Sequence, residues 1–152
     1  MLQLKFKTKG LERLVSKLSS METASRNLQP ALQEVGVWVQ RGIQTNFANQ
    51  AGPGGIGWLA LKPTTVARRA SMGLGASPIL ERTGTLKKSI RIVTNARSVS
   101  IGTDLEYGAA HQTGYKHGKS GRRVPARPFI GLPKEGMAGA TSILLKHLRE
   151  SL

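Results

Sequence analysis

Apolar and polar residues alternate at the start of the chain, where Leu2, Leu4 and Phe6 are separated by Gln3 and Lys5. This is the two-residue period of a strand with one buried face. The spacing then becomes helical. Leu11, Leu14, Val15 and Leu18 fall on one stripe, with Thr8 placed to cap it, and predict a short amphipathic helix. Leu28, Leu32, Val35, Val39 and Ile43 recur three or four apart, and Trp38 and Phe47 widen the stripe. The longest helix is therefore expected over Gln29–Asn49, with the other elements packed around it. Gly36 and Gly42 lie inside it; they lower its helix propensity and leave room for a close neighbour.

The segment Ala51–Gly57 is a loop by composition, with four glycines and a proline. A small helix starting at Thr64 or Thr65 runs through Arg68, Arg69 and Met72 to Gly73 and Gly75, and Thr83–Lys88 forms another short turn. Two alternating runs follow. Ser89–Thr94 places Ile90 and Ile92 on one face, Ser98–Gly102 places Val99 and Ile101 on a comparable one, and Asn95-Ala96-Arg97 suits a hairpin loop. Val124 and Phe129–Leu132 are expected to add an edge strand, interrupted by prolines. Pro133 fits the first turn of a C-terminal helix with the stripe Met137, Ala140, Leu144 and Leu148. The fold class read from this pattern is α+β: a small antiparallel sheet packed by one long helix, shorter N- and C-terminal helices, and extended basic loops. Residues 1–152 are read as a single domain, with mobile loops over about 50–57 and 114–124.

Composition sharpens this picture. Hydrophobic residues make up 39% and aromatics 5% of the 152 residues, so the core must rely on Leu, Ile and Val with few large anchors. Lys and Arg number 23 against eight Asp and Glu, a formal net charge of +15. So many cations cannot all be paired internally, and a polyanionic or acidic partner follows. There is no cysteine, which excludes disulfides and thiolate metal sites and is compatible with a reducing cytoplasm. No apolar run approaches the roughly 20 residues of a membrane span, and the alternating start lacks a signal peptide's apolar stretch. No membrane association is expected.

No catalytic set stands out. Gly118-Lys119-Ser120 has the ending of a phosphate-binding P-loop, but Thr113 stands where that motif needs glycine, and the stretch leads through Arg122 and Arg123 into Pro125 rather than into a helix. His111, His117 and His147 lack the spacing and the carboxylate companion of a zinc enzyme. Asp104 and Glu106 lie near His111, yet no serine in a nucleophile-elbow context accompanies it. His111 is read as a structural histidine beside Tyr107 on a short helix. Gly52, Gly54, Gly55 and Gly57 could cradle an anion, although a flexible loop is the simpler reading. No cofactor, metal or enzymatic activity is expected.

The cations carry the stronger signal. Lys116, Lys119, Arg122, Arg123 and Arg127 form a basic loop without an acid, and Lys62, Arg68, Arg69, Arg82, Lys87, Lys88 and Arg91 form a second zone against Glu81 alone. Both are candidate partner-binding sites. Aromatics do not interleave with these charges, which argues against a single-strand stacking platform.

Five blocks, in order and spacing, resemble the tailed-bacteriophage virion morphogenesis family over about residues 28–150. They are Trp58-Leu-Ala-Leu-Lys-Pro-Thr-Thr65, the run from Pro78 through Leu-Glu-Arg-Thr-Gly-Thr-Leu to Ile90, Ile101-Gly-Thr103, Tyr107-Gly-Ala-Ala-His-Gln-Thr-Gly114 and Pro125-Ala-Arg-Pro-Phe-Ile-Gly131. Members are tail completion and head-tail joining proteins. The resemblance implies an α+β subunit of the neck or tail end, without an active site, that assembles as a homo-oligomeric ring, expected to be hexameric. It implies other neck and tail proteins as partners, contact with genomic DNA in the lumen, and a place in the virion after assembly in the host cytoplasm. By position, Trp58, Leu80, Gly84, Leu86, Gly102, Tyr107, His111, Gly114, Pro125, Arg127, Pro128 and Phe129 match the family pattern, as framework. Gly108 departs from it, since alanine is usual there. The alternative reading is a small basic protein that binds nucleic acid non-specifically.

Overall fold

The computed structural model describes residues 9–75, 77–118, 121–133 and 135–151. The expected strand at Leu2–Phe6, Thr8 and Lys119 lie outside the described residues. In chain order the elements are α1 (Lys9–Arg26), α2 (Gln29–Ala48), α3 (Pro63–Ser71), α4 (Thr85–Lys88), β1 (Arg91–Thr94), β2 (Val99–Gly102), α5 (Glu106–Thr113), β3 (Tyr115–His117), β4 (Arg122–Val124) and α6 (Gly136–Glu150). The architecture is α+β, as the alternation of periods implies.

The central helix follows its apolar stripe: Leu32, Val35, Val39, Ile43 and Phe47 of α2 are all buried. Three anchors close the core around its C-terminal end. The Phe47 ring lies 5.6 Å from both Trp58, edge-on, and Phe129, tilted, and Leu86, Ile90 and Ala140 complete the cluster. The two glycines of α2 serve close approach. A Cβ at position 36 would stand 2.6 Å from Ile92 Cγ2 and 3.2 Å from Val99 Cγ2, and one at position 42 would stand 2.6 Å from Pro133 Cγ. The β1–β2 hairpin and the entry to α6 therefore sit directly on the helix backbone. α6 adds a similar contact, since Gly139 lies against the Trp38 ring with no space for a Cβ.

The β1–β2 hairpin pairs Ile92 with Ile101 and Thr94 with Val99. Asn95 shapes its turn by accepting from the backbone N–H of Arg97 and Ser98. The glycine-rich segment is closed as a turn. Ala51 bridges Gly57, the Gly52 N–H donates to the Ile56 carbonyl at 2.8 Å, and the Trp58 N–H donates to the Gln50 carbonyl at 2.8 Å.

Three expectations need correction. The edge strand from Val124 through Leu132 does not form; Val124 ends β4, which pairs with β3 as a separate two-stranded sheet. Among the described residues there are thus two small sheets rather than one. The reason lies in residues 125–130, where prolines cannot donate to a ladder and a side chain replaces it. The Gln112 Oε1 accepts from the N–H of Phe129 at 3.0 Å and of Ile130 at 3.1 Å, while its Nε2 donates to the Ile130 carbonyl at 2.8 Å. The N-terminal helix is also longer than expected, running to Arg26, and its apolar stripe stays at the surface: Leu14, Val15 and Leu18 are each more than half exposed. Finally, Pro133 precedes α6 and accepts from the Gly136 N–H at 2.8 Å instead of opening the helix.

Candidate functional site

A strap over residues 127–130 organises the site. Trp58 Nε1 donates to the Pro128 carbonyl at 2.8 Å, Asn46 Nδ2 donates to the Phe129 carbonyl at 3.1 Å, and the Arg127 N–H donates to the His111 carbonyl at 2.7 Å. These bonds tie α2, α5 and the segment after the glycine-rich turn to one stretch of irregular backbone. Gly114 lets the chain leave α5 toward β3. Its φ is 73°, and a Cβ there would lie 2.7 Å from the Ala126 nitrogen and 2.9 Å from the Val124 carbonyl oxygen, so conformation and space both require glycine.

Beside the strap opens a cleft of about 960 Å³. It is lined from α3 and the residue before it by Lys62, Arg68 and Arg69, and from β4 and the strap by Arg122, Arg123 and Arg127. Arg82 closes one side, and Tyr107, His111 and Tyr115 face in from α5 and β3. Cations of the two basic zones, from 62–82 and 122–127, meet here. Seven Lys and Arg and no Asp or Glu stand among the lining residues. Apolar residues fill the interior, notably Leu61, Ile79, Leu80, Leu86 and Val124.

Not every expected cation belongs to this cleft. Lys87 pairs with Glu81 at 3.2 Å and lies 5.9 Å from the centre of the Phe47 ring. Lys88, Arg91 and Lys116 are exposed but do not line it. Arg127, expected in the basic contact loop, is 6% exposed and works as framework. Its Nε and Nη2 donate to the Leu59 carbonyl at 3.0 and 2.8 Å, and Nη2 reaches the Ala60 carbonyl at 3.4 Å. Arg69 is similarly anchored: its Nη1 donates to the Ser77 carbonyl at 3.0 Å.

The electrostatics follow from this crowding. Burial first, then the charges of Arg82 and Arg68, lower the Arg69 pKa below the ordinary guanidinium value. Burial and the Arg69 charge do the same to Arg127. Burial, then the nearby Arg127 charge, lowers the His111 pKa from 6.5, which favours the neutral imidazole. Its ring meets Tyr107 edge-on at 5.9 Å, and its Nδ1 is buried without a hydrogen-bond partner among the described residues. On β3 and β4, Lys116 and Arg123 stand directly opposite one another, a pairing of like charges that costs stability. Leu80, at the cleft wall, holds a left-handed backbone with φ 64°, which is strained for a side chain of its size. Gln50 supports that conformation by accepting from the neighbouring Ile79 N–H.

A model of the phage virion morphogenesis family matches residues 6–149. The chain belongs to this family. It is 34% identical over 109 residues, covering 70% of each chain, to the protein of Escherichia phage Mu named "Putative capsid assembly protein G". No solved structure matches it. Membership makes this a protein of phage virion assembly, and it gives the cleft its setting. Several positions that fit the family pattern have definite structural work here. Trp58, Leu86 and Phe129 are core, Gly84 and Gly114 take positive φ, and Pro128 supplies a carbonyl to Trp58. At Gly108, a Cβ would lie 2.5 Å from Thr103 Cγ2, so glycine suits the neighbouring threonine. Sequence reasoning missed Gln112, Gln50 and Asn46, whose amides pin irregular backbone. Such residues carry no periodic signal; their partners lie 17 to 83 positions away.

Proposed function

We propose that this chain is a structural subunit of the phage neck or tail end, which completes the tail, couples it to the head and acts by binding as a ring-forming subunit. The observation that carries this reading is the family match over residues 6–149, borne by a molecule with a cleft that presents cations without carboxylates. The arrangement suits a docking surface. The proposed role assigns His111 no acid–base work, since no carboxylate stands with it among the residues lining the cleft. The exposed stripe of α1, with Leu14, Val15 and Leu18, supports self-association, because copies in a closed ring cover such faces. The subunit works in the virion after assembly in the host cytoplasm, and no described helix is long and apolar enough to cross a membrane.

Phage particles produced without this protein test the reading. Separate heads and tails, joined when the purified protein is added, are the expected outcome; normal numbers of joined particles overturn it. Native mass spectrometry tests the ring separately, with a hexamer expected and a persistent monomer against it. A second reading, non-specific binding of duplex DNA, draws on the net charge of +15. It predicts a stable monomer whose DNA affinity falls steeply with salt.

A further inference from the structure

The cleft is more selective than a basic surface needs to be. Among the described residues, the ion pairs are Arg26–Glu22, Lys87–Glu81 and Lys146–Glu150, and none involves a cleft cation. Arg68, Arg82, Arg122 and Arg123 are exposed and face a concave space that lacks a carboxylate. Two further guanidiniums, Arg69 and Arg127, are fixed behind them by backbone carbonyls. Like charges gathered around a hollow repel one another and focus a positive field into it. The interior is apolar, with Leu61, Ile79, Leu80, Leu86, Val124 and Pro125.

We propose that this cleft receives an acidic peptide segment of another particle protein, in which carboxylates flank at least one large apolar side chain. The apolar residue fills the floor. The carboxylates meet the guanidinium forks at the rim, where paired N–H groups match a carboxylate's two oxygens. The identification rests on the assembly role proposed above and names the chemistry of one partner. Duplex DNA fits less well, because it presents phosphates on a convex surface and has no apolar group to fill the floor. A second copy of this chain also fits poorly. It has eight Asp and Glu in all, of which only Asp104 and Glu106 lie close together in sequence, and Leu105 between them packs on the core.

The test uses the full chain and a library of random peptides, selected at about 150 mM salt, where long-range attraction between exposed charges is largely screened. Recovered sequences are expected to place Asp or Glu on both sides of Leu, Ile or Phe. The affinity of the best peptide should drop about ten-fold or more in an Arg82→Gln, Arg123→Gln double variant, as expected when charge-assisted hydrogen bonds are lost. It should drop similarly when the peptide's apolar residue becomes serine, a comparison that leaves the protein unchanged and so holds even if the variant folds poorly. Binding should also slow hydrogen exchange at residues 61–72 and 122–127. Recovered peptides without acidic enrichment, or equal affinity of the serine peptide, overturn the proposal. One-for-one displacement of the peptide by a short DNA duplex would assign the cleft to DNA instead. If peptides fail while heads and tails still need this protein to join, the occupant is wrong and the assembly role stands.

Discussion

The Arg127 guanidinium donates to the Leu59 and Ala60 carbonyls from a position that is 6% exposed. Lysine keeps the charge but not the fork. Arg127→Lys is therefore expected to cost about 1.5–3 kcal/mol, the range for hydrogen bonds to charged groups, read from urea unfolding; an unchanged midpoint would show the fork to be dispensable. His111 gives a pH dependence whose sign is fixed by its surroundings. Burial and Arg127 hold its folded pKa below 6.5, so the unfolded chain takes up the proton first as pH falls. This contribution to stability is complete above the unfolded value of about 6.5 and is lost progressively below it. The urea midpoint should be lower at about pH 5.5 than at about pH 7.5, and the difference should shrink in His111→Gln. Equal pH dependence in both proteins would refute the assignment.

Besides the packed core side chains, the β1–β2 hairpin and the entry to α6 approach the α2 backbone at glycines. At Gly36 a Cβ would already lie 2.6 Å from Ile92 Cγ2, so Gly36→Leu must push the β1–β2 hairpin outward. Overpacking of this kind costs about 1–3 kcal/mol. Hydrogen exchange should accelerate in residues 91–102 more than in α6, whereas a uniform change would argue against a local displacement. The strap responds differently. Phe129 is fully buried against Phe47, and Phe129→Ala should cost about 3–5 kcal/mol, measured by denaturant unfolding. Gln112→Leu should free the backbone of residues 129–130 at smaller cost, because the core side chains remain. Element types were largely legible: the stripe Leu32, Val35, Val39, Ile43 and Phe47 is buried as its spacing implies. The paired β3–β4 hairpin was not, because its short strands are dominated by Lys, His and Arg and show no apolar alternation.

For the whole molecule, the net charge is +15 and seven of the cations line one cleft without a carboxylate, so anions should stabilise the fold more than charge screening alone. Sulfate is expected to raise the melting midpoint above that in chloride of equal ionic strength. Its effect should reach about 1.4 kcal/mol at ten times its Kd and fall in Arg82→Gln. Identical responses to the two salts would mean that the cations act only as a diffuse field. The sequence alone determined the excess of positive charge, the dominance of α2, the β1–β2 hairpin and the family resemblance. Each of these depends on composition, local period or residue order. Tertiary structure alone decided that Arg68 and Arg69 line one cleft together with Arg122 and Arg123, that Arg127 turns inward, and that the α1 stripe remains uncovered. Those outcomes depend on contacts between distant segments, fixed here by amide clamps such as Gln112 on residues 129–130. A local pattern of apolar and polar residues does not encode them.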